Sequence, residues 1–159
     1  MNGAIKMNAK DFFADALNQL QAGSWKDALD ALSIAIQLDP NFFEAYAYRG
    51  AAYYQLGDYE SAMKDYDTSI ALWPNLAEAY YFRATLYGQR KEHEKAIADY
   101  TRAIELKPEL IEAHYFRALN YGAEGKYDEA IRDMKIAAEA GYEPAERFLE
   151  SHRVKPEWN

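Results

Sequence analysis

Three prolines set the frame of this chain. Pro40, Pro74 and Pro108 stand 34 residues apart, each directly behind an apolar, helix-like run: SIAIQLDP, TSIALWP and RAIELKP. Proline lacks an N–H and cannot continue a helix, so each one marks a stop. A fixed period of this length is the signature of a repeat architecture. Written in rows of 34 from Ala9, Phe43, Ala77 and Ile111, the sequence falls into columns. One reads Ala28, Ala62, Ala96, Ala130; a second, always small, reads Ala16, Gly50, Ala84, Ala118. Two more read Ala35, Ser69, Ala103, Ala137 and Leu32, Tyr66, Tyr100, Met134. The turn column is Gly23, Gly57, Lys91, Gly125, followed two residues on by Trp25, Tyr59, His93, Tyr127.

Each row has room for two helices of about 14 residues. In the second row these are expected over Phe43–Leu56 and Tyr59–Leu72, broken at Gly57. Eight glycines and five prolines in 159 residues are few turn-formers, which agrees with helices joined by short turns. The small columns predict the pairing: where Gly50 meets Ala62, two helix axes can approach closely, and Tyr46, Tyr53 and Tyr66 fill the space around them. No row can bury both faces alone, so the rows stack into a helical solenoid.

In the second row the pattern reads Tyr46, Gly50, Tyr53, Gly57, Tyr59, Ala62, Tyr66, Ser69, Pro74. It resembles the tetratricopeptide repeat family. That resemblance implies an all-α fold, a right-handed αα superhelix of four helix-turn-helix repeats with a short C-terminal capping helix. The repeats are expected at 9–42, 43–76, 77–110 and 111–144, with the cap at 144–153, as a single domain over 9–153. Residues 1–8 and 154–159 are expected to be frayed tails. Departures from the pattern are few. Gln19 stands where later rows carry Tyr53, Tyr87 and Tyr121. Lys91 replaces the turn glycine, which costs roughly 1–2 kcal/mol if that position is left-handed. The fourth row ends AEAGYEP, and Phe148 and Leu149 of the following segment are expected to fold onto it.

Charge and composition narrow the function. Twenty-six acidic against eighteen basic residues give a net charge of −8, the wrong sign for tracking phosphates, so nucleic acid is not an expected partner. The absence of cysteine excludes disulfides, thiolate metal sites and a cysteine nucleophile. MNGAIKMNAK has no apolar core of the kind a secretory signal needs, and no apolar run reaches the roughly 18 residues of a membrane span. A cytoplasmic protein with no membrane insertion is expected. His93, His114 and His152 show no metal-ligand spacing, and the first two stand in columns that are otherwise aromatic, so both are expected to pack. Arg49, Arg83, Arg117 and Asp65, Asp99, Asp133 recur at the edges of packed faces, the arrangement of forked ion pairs rather than of one active site. No phosphate loop, nucleophile elbow or calcium loop is present. Neither enzyme activity nor a cofactor or metal is expected.

The first helices carry more apolar surface than stacking needs. Tyr48 lies about 200° around the helix from Tyr46 and so points the other way. With it go Tyr54 in the second row, Tyr81, Phe82 and Thr85 in the third, Tyr115, Phe116 and Leu119 in the fourth, and Phe13 and Leu17 in the first. In the resembling family this side lines a concave groove that holds partner segments. Gly88 and Gly122 share the column of Tyr54, and widening of that groove stands beside relief of crowding as their reason. Glu44, Glu78 and Glu112 edge it, either selecting a basic-flanked partner or only matching the helix N-terminus. The family's clamp for acidic chaperone C-terminal tails uses Lys, Asn and Arg; here the matching positions read Phe13, Leu17, Tyr48, Glu78 and Phe82, so that partner is not expected. The leading expectation is an adaptor or scaffold that binds an apolar or aromatic protein segment. The alternative is a self-assembling homo-oligomeric scaffold, with Trp158 docking in a neighbour's groove.

Overall fold

The computed structural model describes residues 6–152. Among them are nine α-helices and no strand: α1 (Ala9–Gln21), α2 (Trp25–Leu38), α3 (Phe43–Gln55), α4 (Tyr59–Leu72), α5 (Ala77–Gln89), α6 (His93–Leu106), α7 (Ile111–Ala123), α8 (Tyr127–Glu139) and α9 (Glu143–Ser151). The helices of the second row end within a residue of their expected limits. The expected cap at 144–153 is α9, which starts one residue earlier; Arg153 and Trp158 lie outside the described residues.

The turns inside the rows share one device. Gly23, Gly57, Lys91 and Gly125 all have positive φ, and Gly141 adds a fifth such turn between α8 and α9. In each turn the next N–H closes back onto a carbonyl five residues earlier, as Asp58 does onto Tyr53 at 2.9 Å and Glu92 onto Tyr87 at 2.9 Å. This caps the carbonyls that a helix end leaves unpaired. Glycine reaches that backbone without strain; Lys91, at φ 61°, does adopt the left-handed conformation and so meets the condition under which its place in the turn column carries a cost.

The chain divides into two compact units, with the cut at Phe82/Arg83 inside α5. In the first, α1, α2 and α3 pack around Ala16, Ala28, Ala31, Leu32, Ala35, Ile36 and Ala45, with Phe12, Phe13, Tyr46 and Tyr48 set against them, and α4 packs on α3. Gly50 makes the close approach between α3 and α4. A methyl there would lie 2.5 Å from Cε1 of Tyr66 and 3.1 Å from the carbonyl of Ala62. Ser69 stands in an otherwise alanine column, and its hydroxyl donates to the carbonyl of Phe43 at 2.8 Å, so burial leaves it satisfied.

In the second unit, Ala118, Met134, Ala137 and Ala145 form the core of the last row. Phe148 and Leu149 of α9 pack against that cluster, as do Tyr115 and Tyr142. Of the alanine column, Ala28, Ala62 and Ala96 are wholly buried, whereas Ala130 is only half-buried.

Candidate functional site

The Arg–Asp columns form forked pairs in every row that carries them. Arg49 donates from Nε to Oδ2 of Asp65 at 2.7 Å and from Nη2 to Oδ1 at 2.9 Å. Arg83 and Asp99 repeat this at 2.7 and 3.0 Å, and Arg117 and Asp133 at 2.6 and 2.8 Å. The third nitrogen of the fork reaches the preceding row: Arg49 meets Ser33 Oγ at 3.3 Å, and Arg117 meets Thr101 Oγ1 at 2.9 Å. Tyrosine faces lie under the same guanidinium groups, Tyr53 under Arg49 and Tyr121 under Arg117. The hydrogen bonds it donates to Asp65 hold the Arg49 guanidinium firmly protonated. At Asp133, burial favours the neutral acid, but hydrogen bonds from Arg117 and His114 outweigh it and hold the carboxyl below its ordinary range. These carboxylates are fully engaged in joining helices.

The histidines differ from the expectation of simple packing. In the column shared with Tyr46 and Tyr80, each tyrosine hydroxyl donates to a linker proline carbonyl, Pro40 at 3.2 Å and Pro74 at 3.0 Å. His114 turns instead to Asp133, with Nδ1 3.0 Å from Oδ1. His93 Nδ1 lies 2.8 Å from Oδ1 of Asn120. That same Asn120 lies over Gly88, where a methyl would sit 3.1 Å from its Oδ1. Close packing with Asn120 is the relief of crowding that the sequence offered as one reason for Gly88. Among the described residues no cluster of three or more metal-ligating side chains forms.

The expected binding residues are placed as follows. In the first unit the rings interlock. Phe13 is 4.8 Å from Phe42 and edge-on to Tyr48 at 5.6 Å; Tyr48 is edge-on to Phe82 at 5.7 Å. Phe82 in turn stacks near Tyr66 at 6.0 Å and meets Tyr81 at 5.7 Å. Each of Phe13, Leu17, Tyr48, Tyr81 and Phe82 is half-buried. Tyr54 leans back onto Tyr59 of its own row at 5.5 Å, and desolvation, with Tyr59 beside it, raises its hydroxyl pKa. In the second unit, Thr85 Oγ1 lies 3.0 Å from the hydroxyl of Tyr100, whose ring stacks on Phe116. Tyr115 meets both Phe116 and Tyr142 at 5.2 Å. Leu119 lies apart from these rings and lines, with Gly122, Tyr127, Ile131, Met134 and Phe148, a cavity of about 430 Å³. Glu44, Glu78 and Glu112 each occupy the first turn of their helix, and Glu112 stands near the hydroxyl of Tyr142.

Sequence reasoning missed Phe42, which holds Phe13. A signal was there, since Phe42, Leu76 and Leu110 form a column of large apolar residues just before the first helices. It also missed Asn120, which no column announces.

Paired antiparallel helices repeating every 34 residues define an all-α helical-repeat protein. Comparison agrees. The tetratricopeptide repeat profile matches residues 43–76 and 77–110, and a second TPR repeat profile matches 16–57. A crystal structure of MamA is 30% identical, with a TM-score of 0.74 over 87% of this chain and 81% of that one. TTC0263, a thermophilic TPR protein of Thermus thermophilus, matches at 22% identity and a TM-score of 0.75, covering 87% and 81% of the two chains. The first TPR of Spaghetti (RPAP3), bound to the HSP90 peptide SRMEEVD, matches at 24% and 0.69, covering 74% and 94%. No curated protein matches the sequence. The chain belongs to the tetratricopeptide repeat family, a family of protein-interaction modules. No helix among the described residues is long and apolar enough to cross a membrane.

Proposed function

We propose that the protein is a non-enzymatic adaptor that binds an apolar or aromatic segment of another protein on the exposed edges of its first-helix aromatics. The observation that carries this reading is the run Phe13–Tyr48–Phe82–Tyr81, rings already fixed by one another and each only half-buried. Pre-positioned aromatic edges offer contact area at little further entropic cost. Tyr115 and Phe116 offer the same chemistry in the second unit. Glu44, Glu78 and Glu112 favour Lys or Arg beside the partner's apolar anchor. The same charge and the missing basic clamp argue against acidic chaperone tails and against nucleic acid; the proposed role is cytoplasmic and uses no cofactor or metal.

Selection from a displayed peptide library tests this directly. Recovered peptides are expected to share an apolar anchor flanked by Lys or Arg, and to lose at least tenfold in affinity on Tyr81→Ala, about 1.4 kcal/mol or more. Helical circular dichroism should be unchanged. The peptide SRMEEVD should not bind. Enrichment of acidic peptides, or binding indifferent to Tyr81→Ala and Tyr115→Ala, would overturn the reading.

Self-assembly is the second reading, and one observation favours it. Ile34 and Leu38, four residues apart on α2, are 37% and 51% exposed and form one apolar strip. Mass by light scattering that rises with concentration, and falls to the monomer with Leu38→Lys, would support it. A constant mass near 18.3 kDa would exclude it.

A further inference from the structure

The end of the last row is built for a cover that α9 only half supplies. In the row before, α7 covers the face: Phe116 stacks on Tyr100, and Asn120 lies over Gly88 and reaches His93. Buried Ala45, Ala79 and Ala113 mark the same position in successive first helices, 34 residues apart; the next is Ala145, only 32 on. That register makes Phe148 the counterpart of Phe116, and it does pack on the Met134 cluster. It also makes His152 the counterpart of Asn120. But His152 folds back on its own helix, stacking on Phe148 at 4.1 Å with Nδ1 2.9 Å from the Phe148 carbonyl. The space over Gly122 and Tyr127 is left as the apolar cavity of about 430 Å³. Leu119 is accordingly 39% exposed and Tyr127 67% exposed, and a methyl added at Gly122 would meet nothing within 4 Å.

The sequence does not favour a longer α9 as the missing cover. α7 has 13 residues and α9 has nine. A 13-residue helix from Glu143 would end on Lys155, directly before Pro156, where helical backbone is disfavoured.

We propose that this cavity is the seat of the chain's own Trp158. The segment from 153 to 159 reads RVKPEWN and follows directly on His152, which itself lines the cavity. Six residues span up to about 20 Å, and five intervening residues are an ordinary loop length, so the segment is long enough to bring Trp158 to the cavity. Val154, two residues from His152, is too close to turn back. The indole brings a large apolar body to an apolar wall. The turn 124–129, EGKYDE, carries three acids and one base around Tyr127, opposite in sign to the segment, whose Arg153 and Lys155 outweigh Glu157 by one charge. Tethering at this distance gives an effective concentration on the order of millimolar.

This inference is independent of the aromatic first-helix faces, and its test leaves Tyr48, Tyr81 and Tyr115 untouched. The full chain carrying Trp25→Phe and Trp73→Phe reports on Trp158 alone. Its emission is expected to be blue-shifted from that of free tryptophan, with several-fold protection from acrylamide at every protein concentration. Gly122→Leu fills the cavity and should return both readouts to those of free tryptophan while the helical signal persists. Fluorine NMR of fluorotryptophan-labelled protein, with the Trp158 resonance assigned by Trp158→Phe, gives the same reading with Trp25 and Trp73 in place. A freely quenched Trp158, protection that survives Gly122→Leu, or protection lost on dilution, which would make the occupant a second copy, each overturns the proposal.

Discussion

At the scale of single residues, the Arg–Asp pairs do most to explain why a charged group recurs at a packed edge. The three Arg side chains are 15–20% exposed and their Asp partners 4–10%, so neither member is well hydrated. Only arginine offers the flat fork that meets both carboxylate oxygens while stacking on tyrosine. Removing one member strands the other. Arg117→Ala is expected to cost about 3 kcal/mol, read as a lower midpoint in urea, because Asp133 then remains buried without its main partner. Asp133 also makes stability depend on pH. Its carboxyl is depressed in the folded chain, so the unfolded chain takes up the proton first as pH falls below about 4. The contribution is whole above that pH and is lost as pH falls through the folded value. Asp133→Asn should flatten the stability-against-pH curve in this acid window while lowering stability at neutral pH.

At the scale of helices and turns, two positions show opposite demands on glycine. Lys91 sits left-handed with a side chain that does not favour it, so Lys91→Gly should stabilise by about 1 kcal/mol despite the greater freedom of the unfolded chain. Gly50 is right-handed but has no room. Gly50→Ala would press a methyl into the ring of Tyr66 and the backbone of Ala62, and should destabilise by about 1–3 kcal/mol even though alanine is the better helix former. Thermal melting of both variants checks the two signs together.

At the scale of the whole chain, Trp25 and Trp73 both lie in the first unit, while circular dichroism follows the helices of both. The cut between units falls inside the continuous helix α5. On the proposal that 9–153 unfolds as one domain, denaturation followed by fluorescence and by circular dichroism should coincide in a Trp158→Phe background. Separate transitions would mean two independently stable halves.

The sequence by itself determined the rows, the helices of the second row to within a residue, the turn at Lys91 and the Arg–Asp partners. All of these follow from spacing: a fixed period puts identical side chains in identical surroundings, so one row's solution holds for every row. What only the tertiary structure decided lies where a side chain departs from the solution its column repeats. His114 turning to Asp133 within the fourth row, and Asn120 occupying the space of Gly88 in the row before, each depend on a rotamer that no column announces. The same holds for the half-buried Ala130. Its column is uniform in sequence, yet its exposure depends on what the following helix covers, and there the helix is shorter, nine residues against thirteen in α7.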